Sequence, residues 1–139
     1  MRRRLVLDAW AVVALIQGQE PAAARVKRIL QDAQEGHSDL FISMINLGEV
    51  YYCIGRRIGR DQAQETLMEI RLLPLTVVSV TEDAVLAAAE LKMSHTLSYA
   101  DAFAGALAEE LEAILVTGDP ELRQLEGRIP LEGLMRTSR

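Results

Sequence analysis

The chain has 139 residues, half of them apolar and only 4% aromatic, with 20 Asp and Glu against 15 Lys and Arg for a net charge of −5. That length fits one domain, residues 1–139, and a core of Leu, Val, Ile and Ala that needs neither disulfides nor a structural metal. The lone Cys53 excludes an internal disulfide and, with two His, a usual zinc site, while the acidic balance excludes a sequence-blind nucleic-acid coat but not an enzyme that gathers acid in a cleft.

The opening Met1-Arg2-Arg3-Arg4 followed by Leu5 to Ile16 has the outline of a signal peptide, but Asp8 interrupts the apolar run. No stretch approaches the roughly twenty apolar residues of a membrane span, so a reducing cytoplasm is the expected setting. Leu5-Val6-Leu7 is expected to form a buried strand ending at Asp8. Two helices should follow, at about 10–18 and 21–35, with Pro21 at a first helical position and Gly36 at the stop. Leu40-Phe41-Ile42 reads as a second strand. Ser43 then caps a helix to about Arg57, and Gly59 separates it from another at about 60–72. Leu75 to Val80 is a third strand, Thr81 caps a helix over 82–94, and Ser98 caps one over 99–112. Ala113 to Thr117 is a fourth strand, Asp119-Pro120 opens a short helix to about Leu125, and Arg128 to Leu131 reads as a last edge strand. Alternating helices and continuously apolar strands imply a three-layer α/β/α fold around a short, mainly parallel sheet. Ligands of such sheets bind beyond the carboxyl ends of the strands, where Asp8 and Asp119 fall.

Most acids here lie among other polar residues, as solvated charges do; four do not. Asp8 is the only charge from Leu5 to Ile16, Glu49 from Ser43 to Gly55, Asp101 from Thr96 to Ala108, and Asp119 from Ala113 to Pro120. Each has a plain reading: Asp8 and Asp119 as helix caps, Asp101 in a capping-box spacing after Ser98, and Glu49 as an odd member of an apolar helix face. A carboxylate in apolar surroundings is costly unless paired, hydrogen-bonded or bound to a metal, and no cation lies near any of the four in sequence. One shared divalent ion relieves all four, and hard oxygen donors select Mg²⁺ or Mn²⁺.

At these residues the sequence resembles a PIN domain. The matching pieces are Leu7-Asp8, Ser43-x-x-Asn46-x-x-Glu49, Leu97-Ser98-Tyr99-Ala100-Asp101-Ala102 and Leu115-Val116-Thr117-Gly118-Asp119, in order across nearly the whole chain. Size and the stretch from Leu91 to Ala108 bring it closest to the VapC toxins of toxin–antitoxin pairs. The resemblance carries an acidic quartet over to Asp8, Glu49, Asp101 and Asp119, with Asp8 and Asp101 as direct metal ligands and the other two direct or through water. Thr117 and Asn46 match polar helpers that hold waters or carboxylates in place. Two departures bear on the surroundings of the metal: Ala9 and Trp10 stand where relatives often have Ser or Thr, and Glu121 stands where they often have Asp.

What the resemblance implies is metal-dependent hydrolysis of RNA phosphodiesters, a cognate antitoxin and a homodimer. Arg56, Arg57 and Arg60, two turns and more beyond Glu49, are the candidate phosphate contacts, set against an ordinary cationic helix end. Trp10 is either a base-stacking ring or a packing residue, and Lys92 and His95 are weaker RNA contacts. Two other readings stay open: a PIN-like module whose acids only bind metal or a partner, and a DNA-directed nuclease. A phosphoaspartyl phosphatase would want an acid at the position of Trp10, and a receiver domain an acidic pair before the site; neither is present.

Overall fold

In the computed structural model, which describes residues 2–137, the chain alternates strands and helices in the order β1 (Arg3–Leu7), α1 (Ala9–Ile16), α2 (Ala22–Gln34), β2 (Ser38–Ser43), α3 (Met44–Ile58), α4 (Arg60–Arg71), β3 (Thr76–Val78), α5 (Glu82–Ser94), α6 (Tyr99–Leu111), β4 (Ile114–Thr117), a 3₁₀ segment (Pro120–Leu125) and β5 (Leu131–Gly133). The five strands form one parallel sheet in the order β3-β2-β1-β4-β5. Successive residues of β1 face opposite sides, as a pleated strand requires. Leu5 and Leu7 join the core layer built with α1 to α4, whereas Val6 joins the layer built with α5 and α6.

The start signals work as the sequence suggests. Ser43, Thr81 and Ser98 each accept a backbone N–H of the helix they open, from Ile45, Ala84 and Asp101 respectively. Three boundaries shift for identifiable reasons. Pro21 stands just before α2 rather than as its first residue. β3 stops at Val78, not Val80, because its one partner strand ends at Ser43, where the backbone turns into α3. The last strand begins at Leu131 and not Arg128: Ile129 is buried in the α5–α6 layer, and Pro130 gives its carbonyl to Leu115 N–H before pairing starts. β5 is then braced to α2 by a two-pronged Arg25–Glu132 ion pair.

The strand order creates the site. From β1 the chain moves outward through β2 and β3, then returns to lay β4 on the other side of β1. The segment leaving β1 enters α1 in one core layer, and the segment leaving β4 sends Leu122 and Leu125 into the other. The two diverge, leaving a crevice beyond the carboxyl ends of β1 and β4, the switch point at which such sheets bind ligands.

Candidate metal centre

Asp8 follows directly on β1 and is 1% exposed. One carboxylate oxygen accepts the Ala11 N–H at 2.9 Å, capping α1, and the other accepts the Thr117 hydroxyl from the end of β4. That hydroxyl also accepts the Asp119 N–H at 2.9 Å, so a single threonine ties the first acid to the loop carrying the last. Asp119 accepts the Glu121 N–H at 3.0 Å and opens the 3₁₀ segment. The cap readings of Asp8 and Asp119 are therefore realised, but each uses one carboxylate oxygen and leaves room for a second role.

Asp101, buried in the first turn of α6, is held by Ser98. One of its carboxylate oxygens lies within 4.8 Å of one oxygen of Asp119 and one of Glu121. Glu121, expected behind the direct ligands, is exposed and brings one carboxylate oxygen to the edge of this group through the turn after Asp119. Glu49 approaches from α3 with Oε1 buried and without a hydrogen-bond partner, and Asn46 Oδ1 is in the same condition. The Asn46 amide is fixed, donating to Ala100 O at 3.1 Å, which pins α3 against the start of α6.

The electrostatics follow from this crowding. Burial is the main cause that pushes Asp8 up to about 7, against the Thr117 and Ala11 hydrogen bonds, with the charges of Asp119 and Glu49 adding to the rise. Asp101 is raised well above the carboxylate range by burial first, then by its hydrogen bond to and the charge of Asp119. Glu49 is raised by burial and by Asp119, against a hydrogen bond from Asn46. Asp119 is the hub that all three sense. The described residues place no Lys, Arg or His in an ion pair with any of these five acids. Five carboxylates, one of them with an unpartnered buried oxygen, and no sulfur or imidazole donor make a set suited to a hard divalent cation. Cys53, one turn past Glu49, has its thiol pushed up by burial and by that carboxylate, which disfavours the thiolate a metal would need.

Chain comparison places this architecture. The PIN-domain model matches residues 5–128. The chain belongs to the PIN-domain family. Solved structures repeat the domain over almost its full length. The structure of VapC20 from Mycobacterium tuberculosis, described as a Sarcin-Ricin loop cleaving toxin, is 21% identical with a TM-score of 0.71, covering 88% of this chain and 95% of that one. VapBC from Salmonella typhimurium, bound to DNA, is 16% identical with a TM-score of 0.71, covering 96% and 98%. VapBC2 from Rickettsia felis, bound to a DNA fragment from their promoter, is 18% identical with a TM-score of 0.69, covering 94% and 98%. At these identities the likeness is one of fold. No curated protein is significantly similar in sequence.

Other residues of this PIN domain singled out in the sequence take different places. The Trp10 ring packs on the Gly118 backbone so closely that a Cβ there would fall 2.3 Å from two ring carbons, and the Arg136 guanidinium covers the ring at 5.5 Å from its centroid. Trp10 is a packing residue that backs the Thr117–Asp119 turn. Sequence spacing gave no sign of that contact, because Trp10 and Gly118 are over a hundred residues apart. Lys92 donates to Leu97 O and His95 contacts Ser94 and Leu91 O, so both organise the α5–α6 connection. Arg56 and Arg60 line a groove between α3 and α4, and Arg57 is not among its walls.

Proposed function

We propose that this PIN domain is a divalent-metal-dependent endoribonuclease and the toxin of a VapBC-type toxin–antitoxin pair. The observation that carries the reading is the convergence of Asp8, Glu49, Asp101, Asp119 and Glu121 at the switch point, with no ion pair to balance them among the described residues. Asp8 and Asp101 are the proposed direct ligands of Mg²⁺ or Mn²⁺, with Asp119 and Glu49 direct or through water. One oxygen each of Asp101, Asp119 and Glu121 lies within 4.8 Å of the others, which supports Asp119 as a ligand beside Asp101 and leaves Glu121 on the exposed rim. When bound, the metal lowers the pKa of a coordinated water and neutralises charge on the departing oxygen. Thr117 keeps Asp8 in one rotamer and fixes the Asp119 backbone, and Asn46 holds α3 at the distance that keeps Glu49 in the site. Such outer partners matter because they remove reorganisation from the reaction. No histidine lies in this site, so the acids and the metal they hold are the base-generating machinery.

RNA as substrate and an antitoxin as partner are supported by the solved neighbours, one described as cleaving the Sarcin-Ricin loop and others solved as VapBC assemblies. Association, including a homodimer, is supported by large apolar side chains left in solvent, among them Met68, Leu72, Met93 and Met135. No helix of the described residues is long and apolar enough to cross a membrane, which is compatible with a cytoplasmic toxin. The test is cleavage of single-stranded RNA and of DNA of the same sequence with Mg²⁺, Mn²⁺ or EDTA, beside calorimetric metal titration. Metal-dependent RNA cleavage that is lost in Asp8→Asn and Asp101→Asn is expected. Metal binding without cleavage would make the domain a binding module, and cleavage of DNA alone would move the substrate.

A further inference from the structure

Between α3 and α4 lies an open groove of about 510 Å³ walled by Tyr51, Tyr52, Gly55, Arg56, Arg60 and Ala63. Local sequence explains it. Gly55 faces Ala63 across the two helices, where an added Cβ would make an ordinary contact at 3.7 Å, and Gly59 reverses the chain at φ +92°, a conformation suited to glycine. The reversal sets Arg60 across from Arg56. The Arg56 guanidinium lies over the Tyr52 ring at 5.3 Å from its centroid, and that tyrosine is 52% exposed.

The groove sets two arginines on a mostly apolar wall, against the acidic trend of the molecule. The chain carries a net −5, and Arg56 and Arg60, like most of its described arginines, make no ion pair among the described residues. Arg60 sits in the first turn of α4, the end where the helix dipole disfavours a cation. Helix stability does not explain it. Glu49, Tyr52 and Arg56 share one face of α3 at i, i+3 and i+7, so the groove leads directly away from the acidic centre, with Arg56 about 10 Å along the axis from Glu49.

We propose that this groove holds a nucleotide flanking the scissile phosphate of single-stranded RNA, its base stacked on Tyr52 and its phosphate on Arg56 and Arg60. The proposal rests on the ribonuclease reading above and names where its substrate runs. A phosphate backbone entering five carboxylates needs cationic contacts outside them, and an exposed aromatic ring with arginine is the side-chain pair that holds a single strand without reading its sequence. A purely acidic peptide could use the two arginines but has no ring or apolar group to set on Tyr52.

The test uses the full chain with Asp8→Asn to prevent turnover, and fluorescence anisotropy of a labelled single-stranded oligoribonucleotide in Mg²⁺. Tyr52→Ala should weaken binding by about ten-fold and Tyr52→Phe should restore it. Arg56→Ala and Arg60→Ala should each lower the slope of log K against log salt by about 0.7, and Lys27→Ala on the exposed face of α2 should leave it unchanged. Unchanged RNA affinity in Tyr52→Ala and Arg56→Ala, with wild-type chain still cutting RNA, overturns the groove but not the nuclease. Loss of affinity only for a poly-glutamate peptide, with RNA binding intact, overturns it in favour of a protein ligand. If the wild-type chain neither cuts nor binds RNA, the ribonuclease reading itself has failed.

Discussion

The two edges of one sheet treat charge in opposite ways. At the amino edge, Arg2 pairs with Asp39 at 3.0 Å and Arg4 donates to the Leu111 carbonyl at the end of α6, all in contact with water. Each charge there is settled locally, by a partner or by solvent. At the carboxyl edge, five acids meet without an ion pair among the described residues, Asp8 almost fully buried, and burial and mutual repulsion raise Asp8, Glu49 and Asp101. An edge that only had to be stable would resemble the first. The second carries a conflict that a bound divalent ion relieves, which is why function is assigned there.

The comparison predicts unequal responses. The largest is Asp8→Asn: RNA cleavage in Mg²⁺ should fall by about a thousand-fold, since metal-borne charge stabilisation is worth several kcal/mol, while circular dichroism stays native because asparagine can keep the cap to Ala11. Near-wild-type cleavage would end the assignment.

Next comes the response to metal. Mg²⁺ at about a hundred times its Kd should add about 2.7 kcal/mol, roughly 10 °C in Tm, and this gain should be smaller at pH 5 than at pH 8 because the ligands must be deprotonated. Without metal the sign reverses. Asp8 is raised in the fold from 3.8 to about 7, so its contribution is fully present below pH 4 and is lost as pH rises through 7. In EDTA, Asp8→Asn should gain on wild type between pH 4 and pH 8 by about 4 kcal/mol, or roughly 14 °C. A gap in Tm that does not change with pH would show that Asp8 is not strained by its surroundings.

Gly118→Ala should cost about 2 kcal/mol by pushing against the Trp10 ring, and the emission of this single tryptophan should shift with it. The smallest effect belongs to the amino edge. Asp39→Asn should change stability by less than about 0.5 kcal/mol and leave cleavage untouched, as an exposed ion pair does; a larger loss would erase the contrast between the edges.

Much of the site was legible because its residues break local rules. Asp8, Glu49, Asp101 and Asp119 are each alone in apolar segments, and Ser43, Thr81 and Ser98 stand where their hydroxyls cap helices. Other features had no local sign. Glu121 looks like any exposed acid until the turn after Asp119 folds it toward Asp101. Arg56 and Arg57 are equivalent in sequence, and only the packing of α4 against Gly55 gives the groove to Arg56. Arg128-Ile129-Pro130 has strand-like content, but the burial of Ile129 in the helix layer delays β5 to Leu131.

By itself, then, the sequence determined which segments are strands and helices and which carboxylates would be out of place in them, since hydrophobic period, caps and isolated charges act over a few residues. The tertiary structure decided how those carboxylates meet. Strand order puts β4 beside β1, so that Thr117 reaches Asp8 across 109 positions of sequence. Helix packing then sets Glu49 and Asp101 against the same crevice. Contacts between distant segments depend on the closure of the whole sheet, and no short-range pattern encodes them.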